Sequence, residues 1–417
     1  MKSGLKGKLV TRFYFFLRAC QKKRSDYIKK NKYERRKMNW CFEQGPIRPP
    51  SEASSLLVRL TRNCPWNKCI FCHTYKGTKF ELRGVEEIKA DIQVMKDYAD
   101  KVIELSWKMG EDGDVNRNVL KEIYKQQAHN GYYQSVAVWL YFGGENVFLQ
   151  DANSLIMKTA DLVSVLTFLK GKFPKIKRIT SYCRSHTAAR KTVQDFKQLR
   201  EAGLSRIHVG MESGNDEVLA MVCKGVTSEE HIKAGINIRQ AGIELSEYFM
   251  PGLGGVKLSV QNALETAKVM NLINPDFIRL RTLHVVPATE LEELVRKGEF
   301  QELTDDGIIS EIKLFITKLD VYKIKLVSDH ILNLLEELEG ELPGDKPKML
   351  ASINKYLSLP EKDKLIFRLG RRSGNFRRID DLNDKEKYFH LKSIVDSYEA
   401  KGRDINDDML KIMSNYI

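Results

Sequence analysis

Cys64, Cys69 and Cys72 stand within nine residues of one another, in the run Leu-Thr-Arg-Asn-Cys64-Pro-Trp-Asn-Lys-Cys69-Ile-Phe-Cys72. Thiolates at this density bind metal or pair as disulfides. Three is one short of the four that complete a structural zinc site or a fully ligated iron–sulfur cluster. A cubane cluster held by three thiolates leaves one iron open to a further ligand. The missing ligand is therefore the informative feature.

The remaining cysteines, Cys20, Cys41, Cys183 and Cys223, are scattered and bring the total to seven. An odd number with three crowded together does not resemble a secreted disulfide framework, so a reducing cytoplasm is expected. With 417 residues, 42% hydrophobic and 30% charged, the chain has the composition of a globular protein. No apolar run approaches the roughly 18–20 residues that span a bilayer. The net charge of +14 is uneven: residues 1–40 hold 14 Lys and Arg against Asp26 and Glu34, which is +12 and leaves +2 for the rest. That arm, with Phe13-Tyr14-Phe15-Phe16-Leu17, suits contact with nucleic acid or an anionic membrane, and equally a solvated extension. Arg12 interrupts its apolar stretch and no small-residue cleavage site follows, so a signal peptide is not expected.

Short β-like runs alternate with amphipathic stretches from 56 to about 287. Strands are expected at Leu56–Leu60, Val147–Leu149, Arg178–Tyr182, Arg206–Met211, Glu244–Met250 and Phe277–Val286. Helices are expected over Val85–Tyr98, Val119–Gln127, Ala160–Leu169, Val193–Ala202, Ser228–Ala241 and Val260–Leu272, with Gly203 and Gly242 closing two of them. Residues 106–140 are less regular and hold the turn-like Gly110–Gly113. This alternation predicts an α/β fold, a parallel sheet with helices outside, open rather than closed. Ligands of such sheets sit at the carboxyl ends of strands, where the cysteine loop falls. After about 290 the pattern is helical: Thr304–Leu319, Ser328–Leu338 with the acidic run ending at Gly340, and Lys346–Leu357. A basic patch at Gly370–Gly374 and a charged tail follow.

The cysteine loop, lying between a strand and a helix with Phe71 before its last cysteine, resembles the cluster loop of radical S-adenosylmethionine (SAM) enzymes. Their usual spacing is C-x3-C-x2-C; here it is C-x4-C-x2-C. The resemblance covers 56–287 and implies a partial (β/α)6 TIM-like barrel. It also implies a [4Fe–4S] cluster on Cys64, Cys69 and Cys72, SAM bound at the open iron, and a 5′-deoxyadenosyl radical that takes hydrogen from substrate. An electron donor such as flavodoxin or ferredoxin would be the partner. The expected organisation is a basic extension over 1–50, the barrel over 51–290 and a helical region over 291–417.

The same resemblance assigns candidate SAM contacts. Asp151 and Asn153 fall where the second strand receives the methionyl amine, while Gly143-Gly144-Glu145 spells the usual motif but precedes the strand. Ser181, Tyr182 and Arg184 follow on the third strand. Gly210-Met211-Glu212-Ser213-Gly214 and Lys224, twelve residues after Glu212, resemble the coproporphyrinogen-dehydrogenase and methylthiotransferase branches. A cation there would bond the SAM carboxylate. Gly252, in Met250-Pro251-Gly252-Leu253-Gly254-Gly255, would let backbone approach adenine and ribose, and a plain turn explains it nearly as well.

Other positions read as structural. His208 alternates with apolar residues and is expected to be a satisfied core histidine. His73 adjoins the cysteine loop and could equally touch the cluster or lie at the surface. Arg279 and Arg281 would share a strand face and bind an anion or pair with acids; Asp329, His330 and Asn333 have helical spacing and suit capping. Two other classes are weighed: a zinc-binding nucleic-acid-binding protein using His73 as fourth ligand, and a simple electron-transfer protein. Both need a fourth protein ligand. Within the enzyme class, a coproporphyrinogen-dehydrogenase-like oxidation is the alternative reaction, and the substrate is not specified.

Overall fold

The computed structural model describes residues 41–126 and 130–414. The basic arm over 1–40, and with it the expected nucleic-acid or membrane contact, lies outside them. The described residues divide into two compact units: one takes residues 41–59 with Arg83–Phe148 and Thr167–Lys177, the other Leu60–Leu82, Leu149–Leu166 and residues 178–414.

The first unit holds strand β1 (Leu56–Arg59) and is dominated by the helix Val85–Lys108. Ile88, Ile92, Met95, Ala99 and Val102 recur at three- and four-residue spacing on that helix, and all are buried. The fully covered Arg83 guanidinium donates to the carbonyl of Arg59 and pairs with Asp91 at 2.8 Å, tying strand to helix. The irregular stretch 106–140 also contains the helix Gly131–Tyr141, whose first turn is capped by the Asn130 side chain. Glu145 pairs with Lys177 at 2.6 Å on the surface of this unit.

The second unit begins with a two-residue antiparallel ladder, β2 (Thr61–Arg62) on β3 (Glu81–Leu82), which closes the base of the cysteine loop. β4 (Asn146–Gln150) ends in this unit. Then β5 (Arg178–Cys183), β6 (Leu204–Glu212), β7 (Glu244–Phe249), β8 (Phe277–Leu280) and β9 (Ile324–Val327) lie side by side, all parallel. A helical segment precedes each new strand, including Val193–Glu201, Ser228–Gln240 and Gly255–Ile273. Capping boxes at Thr192 and Thr227 start the first two, and Gly242, at φ 74°, ends the second in a left-handed turn that a Cβ would strain. β10 (Gly340–Leu342) pairs antiparallel with β9 and leaves an edge, so the sheet is open. This is the α/β partial-barrel architecture that the alternation predicts.

The structure corrects several boundaries. Ser328–Leu338 is not a helix but a connection between β9 and β10, and its acidic run leads into β10. Asn333 there does not cap a helix: its amide oxygen accepts from Thr282 N–H at 2.9 Å and its NH2 donates to the Leu280 carbonyl at 2.8 Å. Asp329 pairs with Arg279 at 2.7 Å. β8 stops at Leu280, so Arg281 leaves the strand and is exposed while Arg279 is buried. Beyond Leu357 the chain forms the helices Glu361–Arg372, Lys385–Ala400 and Ile405–Ser414. Its basic patch is largely internal: Arg371 and Arg372 donate to the carbonyls of Leu334 and Leu332, and Arg372 pairs with Asp305 at 3.0 Å.

Glu311, on the helix Asp305–Lys318, fixes the turn after β7. Its carboxylate accepts from Gly252 N–H (3.1 Å), Asn262 (2.8 Å) and Ser259 (2.6 Å). Burial nevertheless raises its pKa from 4.5 to about 7, against the lowering effect of those three donors. A carboxyl that binds its proton more tightly folded than unfolded adds stability below pH 4.5 that is lost as pH rises through 7, here about 3 kcal/mol. Glu311→Gln is therefore expected to flatten the fall in unfolding free energy between pH 5 and 8, measured by urea denaturation at successive pH values. An unchanged slope would show that another group carries it.

Candidate active site

The cysteine loop is held at both ends by one side chain. Asp151, fully buried at the end of β4, accepts from Asn63 N–H at 3.1 Å and from the Tyr75 hydroxyl at 2.8 Å. Asn63 directly precedes Cys64, and Tyr75 lies three residues beyond Cys72. The Arg62–Glu81 ion pair (3.1 Å) and Asn63 Nδ2 on the Lys79 carbonyl (2.6 Å) reinforce the base. Within the loop, Ile70 N–H donates to the Val222 carbonyl and its own carbonyl accepts from Leu291, both at 3.1 Å. Ile70 thereby joins a buried cluster with Val218, Val222, Leu253 and Leu291. The Asp151 carboxylate, backbone bonds and apolar contacts thus fix the loop without using the thiols.

Around the thiols the charges are positive. Arg184 sits 5.0 Å from the Trp66 ring centre and donates to the Lys224 carbonyl at 2.7 Å, while Lys224 Nζ pairs with Glu212 at 3.1 Å and lies 5.8 Å from the Phe71 ring. Burial raises the Cys69 thiol above its usual pKa; Lys224 and Arg184 pull it back, and Cys72 and Cys64 add to the rise. Asn153 is a positioning residue here: its oxygen accepts from Arg184 N–H at 3.0 Å and its NH2 donates to Thr187 at 2.8 Å. Trp66 donates to the Cys223 carbonyl at 2.7 Å and packs so closely on Gly225 that a Cβ there would collide with its ring. Open clefts of about 620 and 480 Å3 flank Trp66, both within the size range of small-molecule sites.

Of the residues singled out from sequence, Cys64, Cys69, Cys72, Asp151, Asn153, Arg184, Glu212 and Lys224 converge through these contacts. Gly252 does not join them; its N–H serves Glu311. Sequence reading missed Trp66, Tyr75 and Glu247. Glu247 is fully buried on β7 with neither carboxylate oxygen hydrogen-bonded among the described residues, and burial, then Glu212, push it well above the carboxylate range against the pull of Lys224. A lone acid within a strand pattern carries no mark of this. Cys223 is not remote, since its backbone meets the loop through Trp66. His73 is exposed.

The three thiols are part-exposed and free of disulfides. Among the described residues no group of three or more His, Cys, Asp or Glu side chains is gathered closely enough to hold a metal ion. Three thiols on one loop, with two cations beside them, fit a larger cluster that carries net negative charge.

The profile of the radical SAM superfamily matches residues 58–267, half of the chain, and spans the cysteine loop and β4 to β7. The chain belongs to the radical SAM superfamily. It is thus an enzyme of a class that uses a [4Fe–4S] cluster and SAM, and that draws on an external reductant. Among curated relatives, tRNA uridine(34) acetyltransferase of Methanocaldococcus infernus is 26% identical over 120 residues, 28% of this chain and 22% of the relative. Biotin synthase of Clostridium botulinum is 26% identical over 208 residues, 48% of this chain and 60% of the relative. The chain thus spans less than two thirds of either. Coproporphyrinogen III oxidase from Escherichia coli superposes with a TM-score of 0.39 at 16% identity, covering 63% of this chain and 52% of that one, a likeness that carries no functional argument. Among the described residues no helix of this radical SAM protein is long and apolar enough to cross a membrane.

Proposed function

We propose that this radical SAM enzyme cleaves SAM reductively and uses the product to take hydrogen from its substrate. The observation that carries the reading is the three-thiol loop hung at both ends on Asp151, with Lys224, Glu212 and Arg184 beside it. When bound, a [4Fe–4S] cluster on Cys64, Cys69 and Cys72 would supply one electron to the SAM sulfonium, breaking a carbon–sulfur bond to give the 5′-deoxyadenosyl radical.

The chain's own residues hold and shield. Asp151 and the β2–β3 ladder keep the loop in place. In this reading Lys224, paired with Glu212 and near Phe71, bonds the SAM carboxylate, and Arg184 on Trp66 covers the side of the loop next to Asn153. Glu212 and the buried Glu247 are acceptors for the remaining polar groups of SAM. The partial exposure of the three thiols gives a donor of flavodoxin or ferredoxin type access. The coproporphyrinogen-dehydrogenase-like alternative concerns the substrate, on which the Glu212–Lys224 pair is silent.

Lys224→Ala removes a charge-assisted bond, so SAM affinity in the reconstituted protein is expected to fall by about 1.5–3 kcal/mol, roughly 10- to 150-fold. Lys224→Arg is expected to recover most of it. Equilibrium dialysis with labelled SAM reads the change, and unaltered binding by Lys224→Ala would remove Lys224 from the SAM site.

A further inference from the structure

One face of the open sheet carries buried polar groups that the cofactor site does not use. The parallel register aligns Tyr182, His208 and Ser246 in one row, and Gly210, Tyr248 and Arg279 in the next. Over Gly210, Lys224 Nζ lies 3.4 Å from where a Cβ would stand. This face thus begins at the Glu212–Lys224 pair and runs away from it towards the amino ends of the strands.

His208 is fully buried on this face, and among the described residues neither ring nitrogen has a hydrogen-bond partner. The expectation of a satisfied core histidine fails on that point. The hydroxyl of Thr180, one row further and also fully buried, is equally without a partner among the described residues. Tyr182 and Tyr248 wall the imidazole at ring-centre distances of 5.8 and 5.7 Å. A buried polar atom left unpaired is destabilising, so several on one face mark a place where something else supplies the partners. The charges that bear most on His208 are cations: Arg279, Arg206 and Arg178. Burial first, then these three, hold the imidazole well below its usual pKa. It is therefore neutral, with one N–H to give and one lone pair to accept. Arg279 is steadied by Ser246 at 3.2 Å and Asp329 at 2.7 Å, and so is fixed in place.

We infer that this face recognises the substrate, and that the substrate is a small molecule bearing an oxyanion, carboxylate or phosphate, received by His208 and Thr180 within the field of the three arginines. The inference rests on the proposed radical SAM chemistry, which requires substrate near SAM. It adds the class of molecule and the residues that read it. The imidazole N–H donates to the oxyanion, and the Thr180 hydroxyl gives a second donor.

The test uses the full chain, anaerobically reconstituted and saturated with SAM, with succinate and inorganic phosphate as probes and potassium chloride at matched ionic strength as control. The expected result is a saturable rise in melting temperature with one probe, which also distinguishes carboxylate from phosphate. His208→Phe and the near-isosteric Thr180→Val are each expected to weaken that response at least tenfold in apparent affinity. Without probe, Thr180→Val is expected to melt no lower than the parent, because it removes an unpaired hydroxyl. No saturable rise with either probe, or a rise kept by both variants, would overturn the inference. A ligand-free Thr180→Val that melts lower would also overturn it, by showing the hydroxyl satisfied within the fold. If His208→Phe does not fold, Thr180→Val decides alone. Iron content and 5′-deoxyadenosine formation, assayed separately, report on the underlying chemistry and not on this response.

Discussion

Cys69→Ala is expected to bind no [4Fe–4S] cluster after anaerobic reconstitution and to cleave SAM only at background rate, while the chain stays folded. The two halves of this expectation have different physical sources. Two thiolates cannot hold a cubane in place of three, so iron is lost outright. The loop itself hangs on the Asp151 carboxylate, on the β2–β3 ladder and on the backbone bonds of Ile70, and none of these uses the Cys69 side chain. Removing a part-exposed thiol from such a loop changes stability by no more than about 1 kcal/mol. Iron analysis, the visible absorption of the cluster and a circular-dichroism melt read the three parts. A cluster retained at parental stoichiometry would remove Cys69 from the ligand set.

Asp151→Ala is expected to lose the cluster by a different route. It leaves Asn63 N–H and the Tyr75 hydroxyl without the carboxylate that both donate to. A hydrogen bond to a charged group contributes about 1.5–3 kcal/mol, and both ends of the loop lose theirs together. All three thiols remain, so the loss reflects their positioning. Supporting residues around metal ligands typically change affinity by about 10- to 100-fold, and iron retention against a chelator is expected to drop within that range. Asp151→Asn keeps one acceptor oxygen and is expected to recover part of it. Equal retention by the parent and Asp151→Ala would show that the ladder suffices. The resemblance assigned Asp151 to the methionyl amine; its contacts with the loop give it a structural task that short-range pattern does not reveal, because Asn63 and Tyr75 reach it across 88 and 76 residues.

The parts of the fold that were legible follow from local signals. β5, β6 and β7 are apolar, β-rich runs bounded by Gly203 and Gly242, and their helices begin at threonine capping boxes. The segment 328–338 failed for the opposite reason. Ile331, Leu334, Leu335 and Leu338 mimic a helical stripe, but Asn333 is drawn into backbone groups at and just past the end of β8, and Ser328 donates to the Leu335 carbonyl at 2.8 Å. Those partners are long-range for Asn333, and no periodicity encodes them. Arg371 and Arg372 read as a solvated patch for the same reason, since the carbonyls they bind lie 37 and 40 residues away.

At the site, the three cysteines were legible because metal ligands declare themselves by spacing. Glu212 and Lys224 were legible through a motif twelve residues long. Trp66 and Gly225 were not, because their contact joins the cysteine loop to the turn after the helix Asp216–Met221. His208 shows the limit most clearly. Alternation placed it correctly in the sheet, yet whether its nitrogens find partners depends on side chains from three other strands.

The central claim is that the three-thiol loop turns SAM into 5′-deoxyadenosine. The most direct test is anaerobic: reconstitute the full chain with iron and sulfide, reduce it with dithionite, add SAM, and quantify 5′-deoxyadenosine by mass spectrometry. The account predicts its formation by the parent chain and its loss on substituting Cys64, Cys69 or Cys72. Formation undiminished in those variants, or tightly bound zinc in place of iron with no cleavage, would contradict it.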